Sequence, residues 1–118
     1  MKIEAKTIPH NKQRYNTVGD YFEKYGKVHF RISKLENPWH EWLILIHEII
    51  EYVLITKRGI EIKDIDKFDI EFKGEGEPGD HKDAPYYWEH QLATAIEHLI
   101  ATELFANWQE YDERVREL

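Results

Sequence analysis

The strongest constraint on this chain is a pair of polar intrusions. Its two longest helical stretches each carry a histidine and a glutamate in the middle of an apolar face. Asn37-Pro38 opens the first stretch, since Asn accepts from free backbone N–H groups and Pro suits the first helical position. The helix runs to about Arg58, where Gly59 supplies a left-handed stop and Lys57 and Arg58 face the negative end of the dipole. His47 and Glu51 lie four residues apart, offset by about 40° around the axis. Leu43, Ile44, Ile46, Ile50 and Leu54 surround them on that face. Asp83-Ala84-Pro85 opens the second stretch, with Asp83 as its cap, and the pattern continues to about Arg116. That length, roughly thirty residues, exceeds the common range, which leaves room for a kink or an early end. His90 and Glu97 lie two turns apart among Tyr86, Ala93, Ala101, Leu104 and Trp108. Small residues at Ala93, Thr94 and Ala101 allow another helix to come close.

A buried, unpaired carboxylate costs several kcal/mol or takes up a proton. Two amphipathic helices in a chain of 118 residues must pack face to face. That packing brings His47, Glu51, His90 and Glu97 together, and a divalent cation among them would compensate the buried charge. With no cysteine, the ligands are imidazole and carboxylate, a set that suits zinc foremost and also iron or manganese. The alternative is a hydrogen-bonded network without metal. Glu48 follows His47 directly. It is either a base that takes a proton from a metal-bound water or a solvated helix glutamate. His40, two turns before His47, reads as a surface residue of the first turn. Asp66, Asp69, Glu75, Glu77, Asp80, His81 and Asp83 crowd between the helices. They could close over the site or supply a second metal's ligands, with Asp69 and His81 the best candidates, but the plainer reading is a solvated acidic loop plus a helix cap.

The remainder reads as strand and loop. Val28, Phe30 and Ile32 alternate with polar residues over Lys27–Ser33, and Gly26 marks a turn from a hairpin arm at Tyr21–Tyr25. Ile3–Ile8 fits a further short strand. Ile62, Ile65 and Phe68 suggest a short helix, with Asp69–Lys73 an extended tail, and 74–80 is a loop. The expected fold is α+β: a small antiparallel sheet of two or three strands, then two long packed helices with an acidic loop between, in one domain over 1–118. A net charge of −7 argues against a nucleic-acid or anionic-membrane surface and leaves a small-molecule or peptide substrate. Oligomeric state stays open. The longest apolar run, Trp42–Ile46, is too short to cross a bilayer. The start Met1-Lys2-Ile3-Glu4 carries no apolar signal region, so a soluble cytoplasmic protein is expected.

His47-Glu48-x-x-Glu51 resembles the HExxH helix of the zincin metallopeptidases, with Glu in place of the second His. The resemblance covers about 27–97. It implies a zinc-dependent hydrolase with Glu48 as base, and a permuted ligand set of His47 and Glu51 from one helix and His90 from the next. Glu97 would be a fourth ligand or a supporting partner. By the same resemblance, Val28–Ile32 looks like the edge strand along which zincins lay their substrate. The whole chain is also similar to short uncharacterised bacterial and phage proteins with an HExxE helix and an acidic Glu-Pro-Gly loop, a likeness that implies no activity. Glu48-x-x-Glu51 matches half of the pattern of all-α nucleoside triphosphate pyrophosphatases, but the second stretch contains no Glu-x-x-Asp. Two further functions stay open. One is a non-catalytic interaction protein with a structural metal or polar cluster. The other is a nucleotide-hydrolysing protein using carboxylate-held magnesium.

Overall fold

The alternation at Val28, Phe30 and Ile32 produces strand β3 (Lys27–Ser33). In the computed structural model, which describes residues 1–118, β3 is the centre of the sheet. Strand β2 (Gly19–Lys24) pairs with it antiparallel, placing Tyr21 opposite Phe30. The two-residue link is Tyr25-Gly26, with φ of 55° and 72°. Two positive φ values make the turn whose twist matches a hairpin, and Gly26 adopts its value without a steric penalty. Strand β1 (Ile3–Ile8) runs parallel to β3, from Ile3 opposite Val28 to Ile8 opposite Ser33. The α+β class therefore holds, while the sheet is mixed rather than antiparallel. After β1 the chain crosses to the far edge through residues 9–18, pinned by side chains. Gln13 Nε2 donates to the Val18 and Arg31 carbonyls, and His10 Nδ1 lies 2.8 Å from Ser33 Oγ. Because β3 is central, both its edges are already paired. It is not the free edge strand that the zincin likeness implied.

Helix α1 (Pro38–Lys57) starts as its sequence dictates: Asn37 Oδ1 accepts from the Trp39 N–H at 2.9 Å. It ends with Gly59 at φ 71°, the Ile60 N–H bonding to the Ile55 carbonyl and the Gly59 N–H to that of Thr56. Helix α2 (Ile62–Glu71) is regular through Asp69–Glu71, where an extended tail was expected. A 3-10 turn at Pro78–Asp80 follows. The second long stretch is two helices, α3 (Tyr87–Glu103) and α4 (Trp108–Arg116). Asp83 does not cap α3; the position before its first turn is Tyr86, which makes no side-chain cap. The end of α3 repeats the closing pattern of α1, with Phe105 at φ 56° where α1 has glycine, and the Ala106 N–H bonding to the Ala101 carbonyl. Asn107 then caps α4, accepting from the Glu110 N–H at 2.9 Å.

α1 packs against β2 and β3 on one side and against α3 on another. Ala93 and Ala101 are buried on α3, as their size predicts for a close crossing. Two apolar clusters form. One contains Tyr21, Val28, Phe30, Ile55, Ile65 and Tyr86. The other contains Ile32, Leu35, Leu43, Ile44, Ala101 and Tyr111. On α1, the stretch between Ile44 and Ile55 joins these clusters, and it holds His47, Glu48 and Glu51. α1 is apolar almost all round, since Trp39, Trp42, Ile49 and Val53 are exposed on its other side. No helix is long and apolar enough to cross a membrane.

Candidate metal centre

Four-residue spacing on α1 points His47 and Glu51 the same way, and α3 brings His90 to meet them. His47 Nε2 lies 3.0 Å from Glu51 Oε2. His90 Nδ1 lies 3.1 Å from the same oxygen, and the two ring nitrogens are 3.2 Å apart. These three atoms make a nearly equilateral triangle. A divalent ion with bonds of about 2.0–2.1 Å holds neighbouring ligand atoms about 2.9–3.4 Å apart, from octahedral to tetrahedral angles. The triangle fits that range on every edge. The three residues are 4–9% exposed. Without a cation only protons join these three atoms, and when both rings are charged two positive groups stand 3.2 Å apart against the one charge of Glu51.

The opposite faces of these groups are held by other residues. Glu97 Oε1 lies 2.7 Å from His47 Nδ1. A carboxylate there takes the Nδ1–H and leaves Nε2 free to ligate. Glu97, expected as a metal ligand or a supporting partner, thus stands behind the ring of His47 and outside the ligand triangle. Tyr21, whose role its sequence context concealed, donates its hydroxyl to Glu51 Oε1 at 2.7 Å and leaves Oε2 to the imidazoles. Burial disfavours the charged imidazole of His47, but Glu51 and Glu97 outweigh it and push His47 up to about 10. Burial opposes charge on His90 as well, and Asp80, Glu51 and Glu77 overcome it to reach about 12. Burial would raise Glu51, yet the two imidazoles hold it down at about 2.

Two loop carboxylates stand on the far side of His90. Glu77 Oε2 and Asp80 Oδ1 each lie 3.1 Å from His90 Nε2. Neither meets that nitrogen in hydrogen-bonding geometry, and Nε2 is buried without a hydrogen-bond partner. Gly79 explains how the loop comes so close, because a Cβ there would sit 2.5 Å from His90 Cγ. The acidic loop is therefore not simply solvated. The two residues singled out in it do other work. Asp69 accepts from the Tyr86 hydroxyl at 2.6 Å and the Tyr15 hydroxyl at 3.2 Å, and burial pushes its carboxyl up to about 6. His81 packs against Phe72, away from the triangle.

Glu48 is not on the wet side of α1. It is 8% exposed and lies against Gly19, where a Cβ would meet its Oε1 at 2.6 Å. Burial, then the charge of Glu51, pushes its carboxyl well above the usual range. His47, Glu48, Glu51 and His90 all line one cleft of about 640 Å³, with Asp69 and Trp108 on its other walls. His40 is buried, not a surface residue: its ring rests on Tyr111, centroids 5.1 Å apart, away from the triangle. Two groups of side chains could thus hold a metal ion, His47–Glu51–His90 and Glu77–Asp80–His90. The chain matches no family model, no curated protein and no solved structure.

Proposed function

We propose that this chain is a small zinc-type metal-dependent hydrolase, with His47, Glu51 and His90 as its ligands and Glu48 as its proton carrier. The supporting observation is the ligand triangle, with edges of 3.0–3.2 Å, facing a cleft that Glu48 also lines. A zinc-class ion at that point lowers the pKa of a bound water and polarises a carbonyl or phosphoryl oxygen. Glu48 shares the cleft, and burial and the charge of Glu51 hold its carboxyl well above the usual range, which favours its carrying a proton. The substrate is a small molecule or a peptide segment, and the protein works in the cytoplasm. The likeness of His47-Glu48-x-x-Glu51 to the zincin helix supports the same assignment of roles.

The test separates binding from turnover. In protein reconstituted with zinc, His47→Ala loses one ion per chain by elemental analysis. Glu48→Gln keeps its metal and loses hydrolysis of a panel of chromogenic amides, esters and phosphoesters. Protein that takes up no ion on reconstitution overturns the proposal. The second reading, a metal that only ties α1 to α3, draws on the burial of all three ligands. It predicts that a chelator lowers the melting temperature while no member of the panel is hydrolysed. The magnesium–nucleotide reading has less support, because Asp69 is engaged by two tyrosine hydroxyls.

A further inference from the structure

We infer that His90 bridges two cations, its Nδ1 serving the inner site and its Nε2 a second site completed by Glu77 and Asp80. The inference rests on the inner-site reading above and extends it to the loop. Three observations carry it. His90 Nε2 is buried and makes no hydrogen bond, although an imidazole nitrogen in that position ordinarily finds a partner. Two carboxylate oxygens from separate residues stand 3.1 Å from it, both outside hydrogen-bonding geometry. The turn that carries them is held against the ring by a residue that must be glycine, since any Cβ at Gly79 would clash with the ring itself at 2.5–2.9 Å.

The chemistry of the donor set suits a divalent cation. One imidazole nitrogen and two carboxylates are hard to borderline donors, able to take zinc, manganese or magnesium-like ions. Glu77 and Asp80 are about half exposed, so this site opens to solvent, whereas the inner triangle is buried between helices. The ring holds both ions as imidazolate, its last N–H proton leaving to solvent. An imidazole between two ions keeps them farther apart than the roughly 3.5–4 Å of sites that share one attacking oxygen. The outer ion is therefore not a partner in attack. It fastens the 3-10 turn at Pro78–Asp80 over the cleft and fixes the orientation of an inner ligand.

Metal stoichiometry of the full-length chain tests this, using zinc and, separately, cobalt(II) with its ligand-field spectrum. Wild-type protein is expected to bind two ions per chain. The double variant Glu77→Gln/Asp80→Asn, altered only at exposed loop positions, is expected to bind one ion, still on His47, Glu51 and His90, with an inner cobalt spectrum shifted by the change of His90 from imidazolate to neutral imidazole. His47→Ala is expected to lose the inner ion and retain one on Glu77, Asp80 and His90. One ion in the wild type, unchanged in the loop double variant, overturns the second site and leaves the inner one standing. Two ions in both proteins also overturns it. No ion in any of them overturns both sites.

Discussion

The hydrogen bond between Glu97 and His47 gives the most direct measure of whether the cluster is built for metal. Glu97→Gln preserves the shape and an oxygen acceptor at 2.7 Å from Nδ1 but removes the negative charge. A charge-assisted hydrogen bond is about twice as strong as a neutral one, and both side chains here are about nine-tenths buried. Losing a carboxylate behind a metal-bound imidazole weakens metal affinity by about 10–100-fold, or about 1.4–2.7 kcal/mol. Because glutamine still accepts the Nδ1–H, the lower half of that range is expected. Competition against a chromophoric chelator at neutral pH reads the change directly. At fixed free metal, the same tenfold loss removes about 1.4 kcal/mol of ligand-derived stability and lowers the melting temperature of the loaded protein by roughly 4–8 °C. The metal-free melting temperature provides the comparison. A purely structural role for Glu97 would lower the metal-free and loaded proteins alike. Affinity within twofold of wild type would refute the claim that Glu97 orients a ligand.

Three other perturbations follow from particular contacts. Gly19→Ala puts a Cβ 2.6 Å from Glu48 Oε1 and 2.7 Å from its Cγ. It should cost about 1–3 kcal/mol in a urea melt and reduce turnover while metal content stays the same; lost metal would place Glu48 in the wrong role. Phe105→Gly should stabilise the fold by about 0.5–1 kcal/mol. It relieves a left-handed residue costing about 1–2 kcal/mol, against the extra chain entropy of glycine, and the Phe105 side chain is almost wholly exposed. Any destabilisation would mean the break between α3 and α4 is held some other way. Asp69, raised to about 6, favours the fold when protonated. Its stabilisation is full below the unfolded value near 3.8 and is lost as pH rises through 6, amounting to about 2 kcal/mol after its partial exposure is allowed for. Asp69→Asn should flatten that decline between pH 4 and 6; an unchanged pH profile would count against the assignment.

What was legible in the sequence follows a physical division. His47, Glu51 and His90 could be found because a polar group at helical spacing inside an apolar stripe must be answered by something nearby. Helix α1 could be found from Asn37-Pro38 and Gly59, whose chemistry is local. Glu97 was visible as a neighbour, but which ring nitrogen it would meet depends on the crossing of α1 and α3, which no local pattern encodes. Glu77 and Asp80 could be placed in an acidic loop able to supply ligands, but which of its carboxylates reach His90 depends on Gly79 letting the turn lie on the ring. The second stretch was long enough to leave room for a kink. The position of the break after Glu103 went unmarked because Phe105 fills a position that usually takes glycine, although Asn107 with Glu110 three residues later is a capping signal. His40 was placed on the surface because α4, which buries it through Tyr111, was read as a continuation of α3. The direction of β1 depends on the crossover at 9–18 and cannot be read from alternation, which is the same in either direction.

The charge balance of the cluster leads to one more measurable consequence. With no ion bound, the raised values of His47 and His90 and the depressed value of Glu51 mean that both imidazoles carry protons near pH 7. One divalent ion on Nε2 of His47 and Nδ1 of His90 displaces two protons, so the exchange leaves the charge of this buried site unchanged. Water-poor surroundings make that exchange favourable where a net change of charge would not be. It also fixes the sign of the pH dependence. Protons compete with metal below the folded values, so affinity rises with pH, by up to about a hundredfold per unit while two protons are released. Chelator competition at pH 6, 7 and 8 should show a steep rise in affinity, with close to two protons released per inner ion in an indicator-dye measurement. An affinity flat across that window would mean the imidazoles are already neutral, and that burial, not the surrounding carboxylates, governs the site.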